Sequence, residues 1–174
     1  MDIETTGLDA GHDDILEVAA VITDDKLQIC ETYSSFVAGD IDKCDSYCES
    51  MHKNSGLWDH YKDPKIYKST ALAVEADLVA LIEEHCEPHQ AVMAGNSVHF
   101  DQRFLNSHMA RVTERLSHRL LDVSTLRRAF RMRTGGDIEA KKPHCTHRAV
   151  DDVYTAMAEY KNLFDEYDRW VKSN

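Results

Sequence analysis

Two β-type segments joined by a short polar turn place the strongest constraint on the fold. Residues Ile15 to Asp24 are apolar and rich in β-branched side chains, and residues Leu27 to Ala38 alternate between apolar and polar side chains. The intervening Asp24-Asp25-Lys26 suits a tight turn. Together with the segment Met1 to Glu4, they predict a three-strand antiparallel meander.

The rest of the chain alternates between helical patterns and short apolar strands. Residues 40 to 65 are polar and irregular and predict short helices with turns. The further elements expected are a helix capped by Ser69 and ending at Cys86, a strand from Ala91 to Gly95, a helix from Phe100 to Leu116, a short strand over 119–123, a helix starting near Ser124, a loop over 133–143, and a helix from Thr146 to about Val171. This order predicts an α/β domain with a mixed five-stranded sheet, in which parallel strands extend the antiparallel meander and helices flank both.

Size and composition narrow the class of protein. A chain of 174 residues with 43% hydrophobic content is expected to form one domain over 1–174 with a substantial core. It has no apolar run of the roughly 18 residues that a bilayer requires, so no membrane association is expected.

The cysteines indicate a reducing compartment. They are odd in number, five, and scattered, which favours the cytoplasm over an oxidising environment. Cys44 and Cys48 form the single possible zinc half-site, and no second cysteine pair follows them. Because a central strand should not begin at the second residue, we expect upstream residues to be missing, and a mitochondrial location stays open for a eukaryotic source.

The net charge restricts the nucleic acids that such a chain can bind. Its formal value of −11 disfavours binding to long nucleic acid, since each neutralised phosphate needs a Lys or Arg. A short substrate remains compatible, because basic residues cluster between Arg111 and Arg148 and divalent cations can mask carboxylates.

The first strand carries two acids on one face. Residues two apart on a strand point the same way, so Asp2 and Glu4 present adjacent carboxylates while Ile3 faces the other side. Adjacent anions repel unless a cation lies between them, and oxygen ligands suit Mg²⁺ or Mn²⁺. The alternative is an ordinary solvated strand end, for which such acid pairs are common.

Two later segments add an aspartate and a histidine. Asp101 lies near the start of a helix, where its charge is favoured by the helix dipole, so a purely structural role is also open. In the segment THRAVDD, Thr146 is a plausible N-cap, and Asp151 and Asp152 fall in the second helical turn. His147 and Asp152 are then offset by about 140° around the helix, which suits a base beside a metal better than two ligands of one ion.

The combination of motifs resembles a known family. DIETTGL, NSVHFD and HRAVDD resemble the three motifs of the DEDD exonucleases, in the branch with a histidine in the third motif. Ser55 to Leu57 preceded by His52, GNS before the second motif, and LDVSTL at Leu121 to Leu126 narrow the resemblance to the oligoribonuclease family. The resemblance covers nearly the whole chain.

The resemblance implies a fold, an assembly and a reaction. Members of the family have an RNase H-like fold, form homodimers, and release nucleoside 5′-monophosphates from the 3′ end of very short single-stranded RNAs, above all dinucleotides. Carried onto this sequence, two divalent cations, Mg²⁺ or Mn²⁺, would be held by Asp2, Glu4, Asp101 and Asp152. His147 would be the general base, and the spacing in the family selects Asp152 rather than Asp151.

The family also implies a substrate-binding set. A polar cap that grips the 5′ phosphate corresponds to His52, Ser97, Arg119 and Ser124. Leu8 corresponds to an apolar wedge between the bases, and Tyr47 stands where relatives often have a stacking Trp. His118 stands where relatives supply a Tyr to the partner subunit. Each also has an ordinary structural interpretation, as a helix cap, a surface residue or a core residue.

Two other functions are alternatives to this reaction. The first is an exonuclease of the same superfamily that acts on longer strands, and the second is a nucleotide-binding or assembly protein that keeps the fold without turnover. The negative charge disfavours the first, and the complete set of five catalytic-type residues disfavours the second.

Overall fold

The predicted antiparallel meander is present. The protein was analysed as a computed structural model that describes residues 1–136 and 146–173. Strands β1 (Asp2–Thr5), β2 (Ile15–Thr23) and β3 (Ile29–Phe36) pair antiparallel in the order β1-β2-β3. Strand β3 begins two residues later than the alternation predicts, because the Asp24 carboxylate accepts the backbone N–H groups of Lys26 and Gln28, both at 2.8 Å, and so holds the turn.

Helices and two short strands follow the meander. The polar stretch after β3 contains a 3₁₀ turn at Ile41–Lys43 and two short helices, as predicted. The helices and strands that follow β3 are α1 (Ser46–Asn54), α2 (Leu57–Lys62), α3 (Ala71–His85), β4 (Met93–Gly95), α4 (His99–His108), α5 (Ala110–Arg115), β5 (Leu120–Asp122), α6 (Val123–Arg133) and α7 (Ala149–Ser173). Most of the predicted loop, 137–143, lies outside the described residues. In the described part of the chain, no helix combines the length and apolar character that crossing a bilayer requires.

The five described strands form two sheets. Strands β4 and β5 pair in parallel, separately from the three-strand meander. Strand β1 nevertheless lies beside β4, because the Met1 nitrogen donates to the Ala94 carbonyl at 2.9 Å. A Cβ atom on Gly95 would lie 2.8 Å from the Met1 carbonyl oxygen, so this close approach requires glycine. The α/β class with a meander and a parallel strand pair is confirmed.

One predicted helix is two helices in the structure. The expected helix from Phe100 to Leu116 is wrong, because the chain breaks at Met109, where φ is −145° and ψ is 54°. The break buries Met109 completely, and the buried Glu75 of α3 accepts the Arg111 backbone N–H at 2.9 Å. A carboxylate from another helix thus caps the start of α5, which local sequence could not indicate.

Two predicted helix starts are also shifted. Thr70, not Ser69, caps α3, since the Thr70 hydroxyl accepts the Ala73 N–H at 3.2 Å. Helix α7 begins at Ala149 rather than Thr146, so Asp151 and Asp152 lie in its first turn and not in its second. The later start follows from His147, whose φ of 55° is incompatible with helix.

Strand β2 is buried on both faces, which explains its continuous apolar run. Val18 and Ala20 belong to the main core beneath α3, α4 and α5. On the opposite face, Ala19 packs against Ala149 and Val153 at the start of α7. The meander is therefore held between two helical layers, and α7 lies directly over the strand that neighbours β1.

A buried polar network joins the parallel strands to the last two helices. Glu159 of α7 is 1% exposed, forms an ion pair with Arg127 of α6, and accepts a hydrogen bond from the Asn96 amide at 3.1 Å. The Asn96 side-chain oxygen in turn accepts the Ser124 hydroxyl at 3.0 Å. Because Asn96 directly follows β4, this network sets the position of α7 relative to the sheet.

Breaking this network should destabilise the fold. Arg127→Met leaves the Glu159 charge buried without its cation, so the free energy of unfolding should fall by about 3 kcal/mol. Urea denaturation followed by circular dichroism measures the change. The matched control is Arg128→Met, which removes an exposed arginine from the neighbouring position and should cost less than about 0.5 kcal/mol. Equal losses in the two variants would contradict the structural role given to the network.

Candidate active site

Strand β1 carries the first two acids of the site. Glu4 is buried and Asp2 is half-buried. Between them, Ile3 points into the main core, as alternation along a strand requires. The two carboxylates therefore share the face that is turned away from the core.

Asp101 joins this pair from α4. It is the third residue of the helix, and its Oδ1 accepts the backbone N–H of Ile3 at 3.0 Å. This contact spans 98 positions of sequence and ties the helix start to the centre of β1. The first-turn position predicted for Asp101 is confirmed, and the structure adds that its side chain is buried.

The last helix brings an acid and a histidine to the same place. Ligand-type atoms of Glu4, His147 and Asp152 all lie within 4.8 Å of one another. The Asp152 carboxylate also accepts the Thr146 backbone N–H at 3.1 Å, whereas the neighbouring Asp151 is exposed and accepts the Thr146 hydroxyl at 3.2 Å. Of the two adjacent aspartates, it is therefore Asp152 that faces Glu4.

His147 reaches this position through an unusual backbone conformation. It precedes α7 with a φ of 55°, in the left-handed region that non-glycine residues rarely adopt. Such conformations persist only where the surroundings hold them, and they concentrate at functional sites. The exposed imidazole therefore lies beside the acids without belonging to the regular helix.

The residues that hold this turn were not identified from the sequence. Glu17 of β2 is buried and accepts three hydrogen bonds from the start of α7, two from the Arg148 guanidinium at 2.8 and 3.2 Å and one from the Ala149 N–H at 3.0 Å. Glu17 also pairs directly with Glu4 across the two strands. The sequence signal that could have identified Glu17 is its charge within the otherwise apolar run ILEVAAVIT.

The electrostatics of the acid cluster are dominated by burial and like charge. Burial, and after it the nearby Asp152, Glu17 and Asp101, raise the pKa of Glu4 to about 8. Burial likewise raises the pKa of Asp101 to about 7. The pKa of Asp2 is raised well above its ordinary value by burial and then by Asp101 and Glu4. Full ionisation of the cluster is thus unfavourable without a compensating cation.

His52 lies on the other side of Glu4. Its side chain is fully buried in α1, and its Nε2 lies 2.8 Å from the Thr5 carbonyl oxygen, so Nε2 carries the hydrogen and donates it. Its Nδ1 lies 3.8 Å from the Glu4 carboxylate. Burial lowers the pKa of His52. The structure therefore puts His52 next to the acid cluster, not on an exposed surface.

Leu8 and Tyr47 line one open cleft of about 1040 Å³. Both side chains are 78% exposed, which is unusual for large apolar and aromatic groups and marks a binding surface more than a core. Two cations, Lys43 and Arg103, also line the cleft, and the Arg103 guanidinium donates to the Leu8 carbonyl at 2.9 Å. The cleft begins at Thr5, the residue after Glu4, and so adjoins the acid cluster.

The fold brings the remaining predicted substrate-binding residues only partly together. Ser97 and Ser124 follow the C-terminal ends of the parallel strands β4 and β5, and Ser124 bonds Asn96, the neighbour of Ser97. Ser124 does not cap α6, because the Asp122 carboxylate accepts the Thr125 N–H there. Arg119 precedes β5 and is exposed at the opposite end of that strand.

His118 is also exposed, in the turn before β5. It lies next to Arg119, on the same side of the strand pair and away from the serines. Nothing in the described contacts joins His118 to the acid cluster, so its predicted role toward a partner subunit stays a prediction.

Comparison with known proteins agrees with the geometry. Residues 1–160 match the family model RNase_T, which is described as an exonuclease. The mitochondrial oligoribonuclease of Mus musculus is 32% identical over 187 residues, covering 100% of this chain and 78% of that protein. The probable oligoribonuclease of Dictyostelium discoideum is 34% identical over 93% of this chain and 85% of its own length.

A bacterial relative matches over a similar extent. The oligoribonuclease of Marinobacter nauticus is 30% identical, covering 96% of this chain and 93% of that protein. The matches span bacteria and eukaryotes, and the family model over 1–160 includes the four clustered acids and His147. The chain therefore belongs to the oligoribonuclease family of exonucleases.

Proposed function

We propose that this chain is an oligoribonuclease, a 3′→5′ exoribonuclease that hydrolyses very short single-stranded RNAs, dinucleotides above all, to nucleoside 5′-monophosphates. The observation that carries the proposal is the convergence of Glu4, Asp152 and His147 within 4.8 Å, beside Asp2 and the buried Asp101. The family membership supports the same reaction.

The acid cluster fits divalent cations by the chemistry of its donors. Its acidic side chains offer only carboxylate oxygens, which suit hard ions such as Mg²⁺ and Mn²⁺. Burial raises the pKa values of Asp2, Glu4 and Asp101, neighbouring carboxylates raise those of Asp2 and Glu4 as well, and bound cations would offset these effects. We propose that Asp2, Glu4, Asp101 and Asp152 hold two such ions, which would neutralise the scissile phosphate and acidify the attacking water.

His147 is the proposed general base. Its imidazole is exposed beside Glu4 and Asp152, so it can take a proton from water that approaches the phosphate. The water oxygen then forms a bond to phosphorus, the bond from phosphorus to the 3′ oxygen of the preceding nucleotide breaks, and that oxygen takes up a proton. Glu17 acts as a positioning residue, since its bonds to Arg148 and Ala149 hold the turn that carries His147.

The cleft beside the acids supports binding of one or two bases. An exposed tyrosine provides a stacking surface that accepts any base, and an exposed leucine can separate two bases. Lys43 and Arg103 add positive charge at the same cleft. We propose that Leu8 and Tyr47 bind the bases and that a polar group of His52, Ser97, Arg119 and Ser124 limits the length at the 5′ phosphate.

Family membership supports further proposals on the domain and its assembly. We propose that residues 1–174 act as one RNase H-like exonuclease domain, in which the two sheets join into a mixed five-stranded sheet along β1 and β4. The Met1 to Ala94 hydrogen bond supports that arrangement. We further propose a homodimer, in which His118 faces the partner subunit. Exposed apolar residues on the last two helices, Met132, Phe164 and Val171, support an interface there.

Composition and relatives support a proposal for the cellular location. The four described cysteines, Cys30, Cys44, Cys48 and Cys86, are free thiols, which suits a reducing compartment. We propose the cytoplasm, with mitochondria as the alternative because the mouse and human relatives are named mitochondrial.

Divalent cations should stabilise the protein in a pH-dependent way. Glu4 has an ordinary pKa of 4.5 and a folded value of about 8, so the metal-free folded state holds a proton that the unfolded chain has lost. Stability of the metal-free protein should therefore fall as pH rises from about 5 to about 8. Saturating Mg²⁺ should add about 3 kcal/mol at pH 8 and much less at pH 5, where protons compete for the carboxylates.

Thermal unfolding with EDTA or Mg²⁺ measures this effect. Asp101→Asn should weaken both the pH dependence and the metal response, whereas the exposed neighbour variant Asp151→Asn should keep them. A metal-free melting temperature that rises between pH 5 and pH 8 would contradict the assigned electrostatics.

Loss of the proposed base or of a metal-binding acid should abolish turnover without unfolding. Cleavage of a labelled dinucleotide should fall about 10²–10⁴-fold in His147→Ala, and to background in Asp2→Ala or in excess EDTA. The matched controls are His85→Ala, an exposed histidine outside the site, and Asp151→Asn. Full activity in EDTA would exclude the metal-dependent mechanism, and unfolding of Asp2→Ala would favour a structural role for that acid.

Short substrates should be strongly preferred, with Tyr47 contributing to their binding. In Mg²⁺, a 5′-phosphorylated dinucleotide should be cleaved much faster than an RNA of about twenty nucleotides, since the net charge disfavours long strands. Tyr47→Ala should raise KM by about tenfold, the effect of losing one stacked base. Tyr67 is similarly exposed at 81% but does not line the cleft, so Tyr67→Ala is the matched control. Equal rates on both lengths would overturn the proposed length limit.

A further inference from the structure

A second group of ligand-type side chains lies next to the acid cluster, and its two cysteines take no part in the proposed reaction. Cys44, Cys48 and His52 are spaced four residues apart, and their ligand atoms all lie within 4.8 Å of one another. Cys48 and His52 are buried on one face of α1, and Cys44 is half-buried just before the helix starts. The group offers sulfur and nitrogen donors, unlike the oxygen donors of the acid cluster.

The three donors converge on a small volume. The Cys48 and Cys44 sulfur atoms lie 3.0 Å apart, so a single ion could contact both. The Cys48 sulfur and the His52 Nε2 both contact the Thr5 carbonyl oxygen, at 3.4 and 2.8 Å. Since Nε2 and the Cys48 sulfur share this oxygen, the geometry points to Nε2 as the nitrogen that faces the thiols.

One atom of the group has no partner among the described residues. The Nδ1 atom of His52 is buried and forms no hydrogen bond, although the Glu4 carboxylate lies 3.8 Å away. With the hydrogen on Nε2, Nδ1 offers only a lone pair, and at 3.8 Å the Glu4 carboxyl is too distant to form a hydrogen bond with it. An unsatisfied buried nitrogen at a histidine otherwise fully enclosed by protein calls for a functional explanation.

We propose that Cys44, Cys48 and His52 form a binding site for a borderline-soft divalent cation of the Zn²⁺ type. Two thiolates and an imidazole are three of the ligands that Zn²⁺ prefers, and water completes a tetrahedral site of this kind. On binding, each thiol releases its proton to the solvent. The His52 hydrogen moves to Nδ1, which can then donate to Glu4, as zinc-bound histidines commonly do to a carboxylate.

The site has an entry route from solvent. Cys48 lines the open cleft that also contains Leu8 and Tyr47, and Cys44 is partly exposed. A cation and its fourth, water ligand can therefore reach the cluster without opening the core.

Occupation of this site should inhibit the enzyme. The coupling rests on the proposed function, because Glu4 is a proposed ligand of the catalytic cations, whereas metal binding itself does not rest on it. Zn²⁺ at the cluster withdraws the His52 hydrogen bond from Thr5, which follows Glu4 in β1, and engages Glu4 through Nδ1. Both changes act on the strand that carries Asp2 and Glu4.

Cobalt spectroscopy tests the site independently of catalysis. In the full chain with a phosphine reductant and saturating Mg²⁺ at the acid cluster, one equivalent of Co²⁺ should give an intense thiolate-to-cobalt charge-transfer band. The band should persist in Cys30→Ser, which removes an exposed cysteine of β3, and disappear in Cys44→Ser/Cys48→Ser. Zn²⁺ should displace Co²⁺ and bleach the band.

The affinity and its coupling to catalysis are measured next. Zn²⁺ affinity, from competition with a chelating dye, should fall at least about 100-fold in the double variant, since even losing an outer partner costs 10–100-fold. Zn²⁺ should inhibit dinucleotide cleavage in wild type and Cys30→Ser at concentrations that leave Cys44→Ser active. Cys44→Ser should keep its basal rate without Zn²⁺.

Three results would overturn the inference. A wild-type protein without a charge-transfer band, or a double variant that keeps it, would exclude the cysteine site. Zn²⁺ binding at Cys44, Cys48 and His52 without any inhibition of dinucleotide cleavage would exclude the link to Glu4. Loss of dinucleotide cleavage in the absence of added Zn²⁺ would concern the proposed function alone, because the spectroscopic result does not depend on turnover.

Discussion

The rest of the site depends on the hydrogen bonds that the buried Glu17 carboxylate accepts from the start of α7. Glu17 lies on β2, directly opposite Glu4, and binds the Arg148 guanidinium and the Ala149 N–H. Without these bonds, the facing carboxylates of Glu4 and Glu17 would repel each other across the strands. The same bonds attach the last helix to the first sheet and hold the strained turn at His147.

This arrangement concentrates negative charge where a protein would ordinarily avoid it. Four carboxylates share a partly buried volume, and the raised pKa values of Asp2, Glu4 and Asp101 reflect the cost of burying them there. The surrounding contacts supply compensation, as the Ile3 N–H does for Asp101 and the Thr146 N–H does for Asp152. The charge that these contacts leave uncompensated is the charge that a divalent cation would balance, so the proposed metal site consists of residues that also affect stability.

Much of this organisation follows from local pattern. The strand period of two puts Asp2 and Glu4 on one face, and the run Ile15 to Thr23 identifies the central strand of the meander. The start of α5 was not predicted, because its cap comes from elsewhere in the chain. Glu75 caps α5 from 36 residues away, which is why a continuous helix was expected where Met109 interrupts it.

The difference between what the sequence determines and what only the tertiary structure decides is clearest at His147. The motifs and their order were sufficient to identify the resemblance to the family, and that resemblance selected Asp2, Glu4, Asp101, Asp152 and His147 as candidate site residues. On a regular helix, however, His147 and Asp152 would point in different directions, and no local signal indicates a left-handed residue there. Their convergence on Glu4 arises from contacts 131 and 132 positions apart, because only the folded chain brings Glu17 against Arg148 and Ala149.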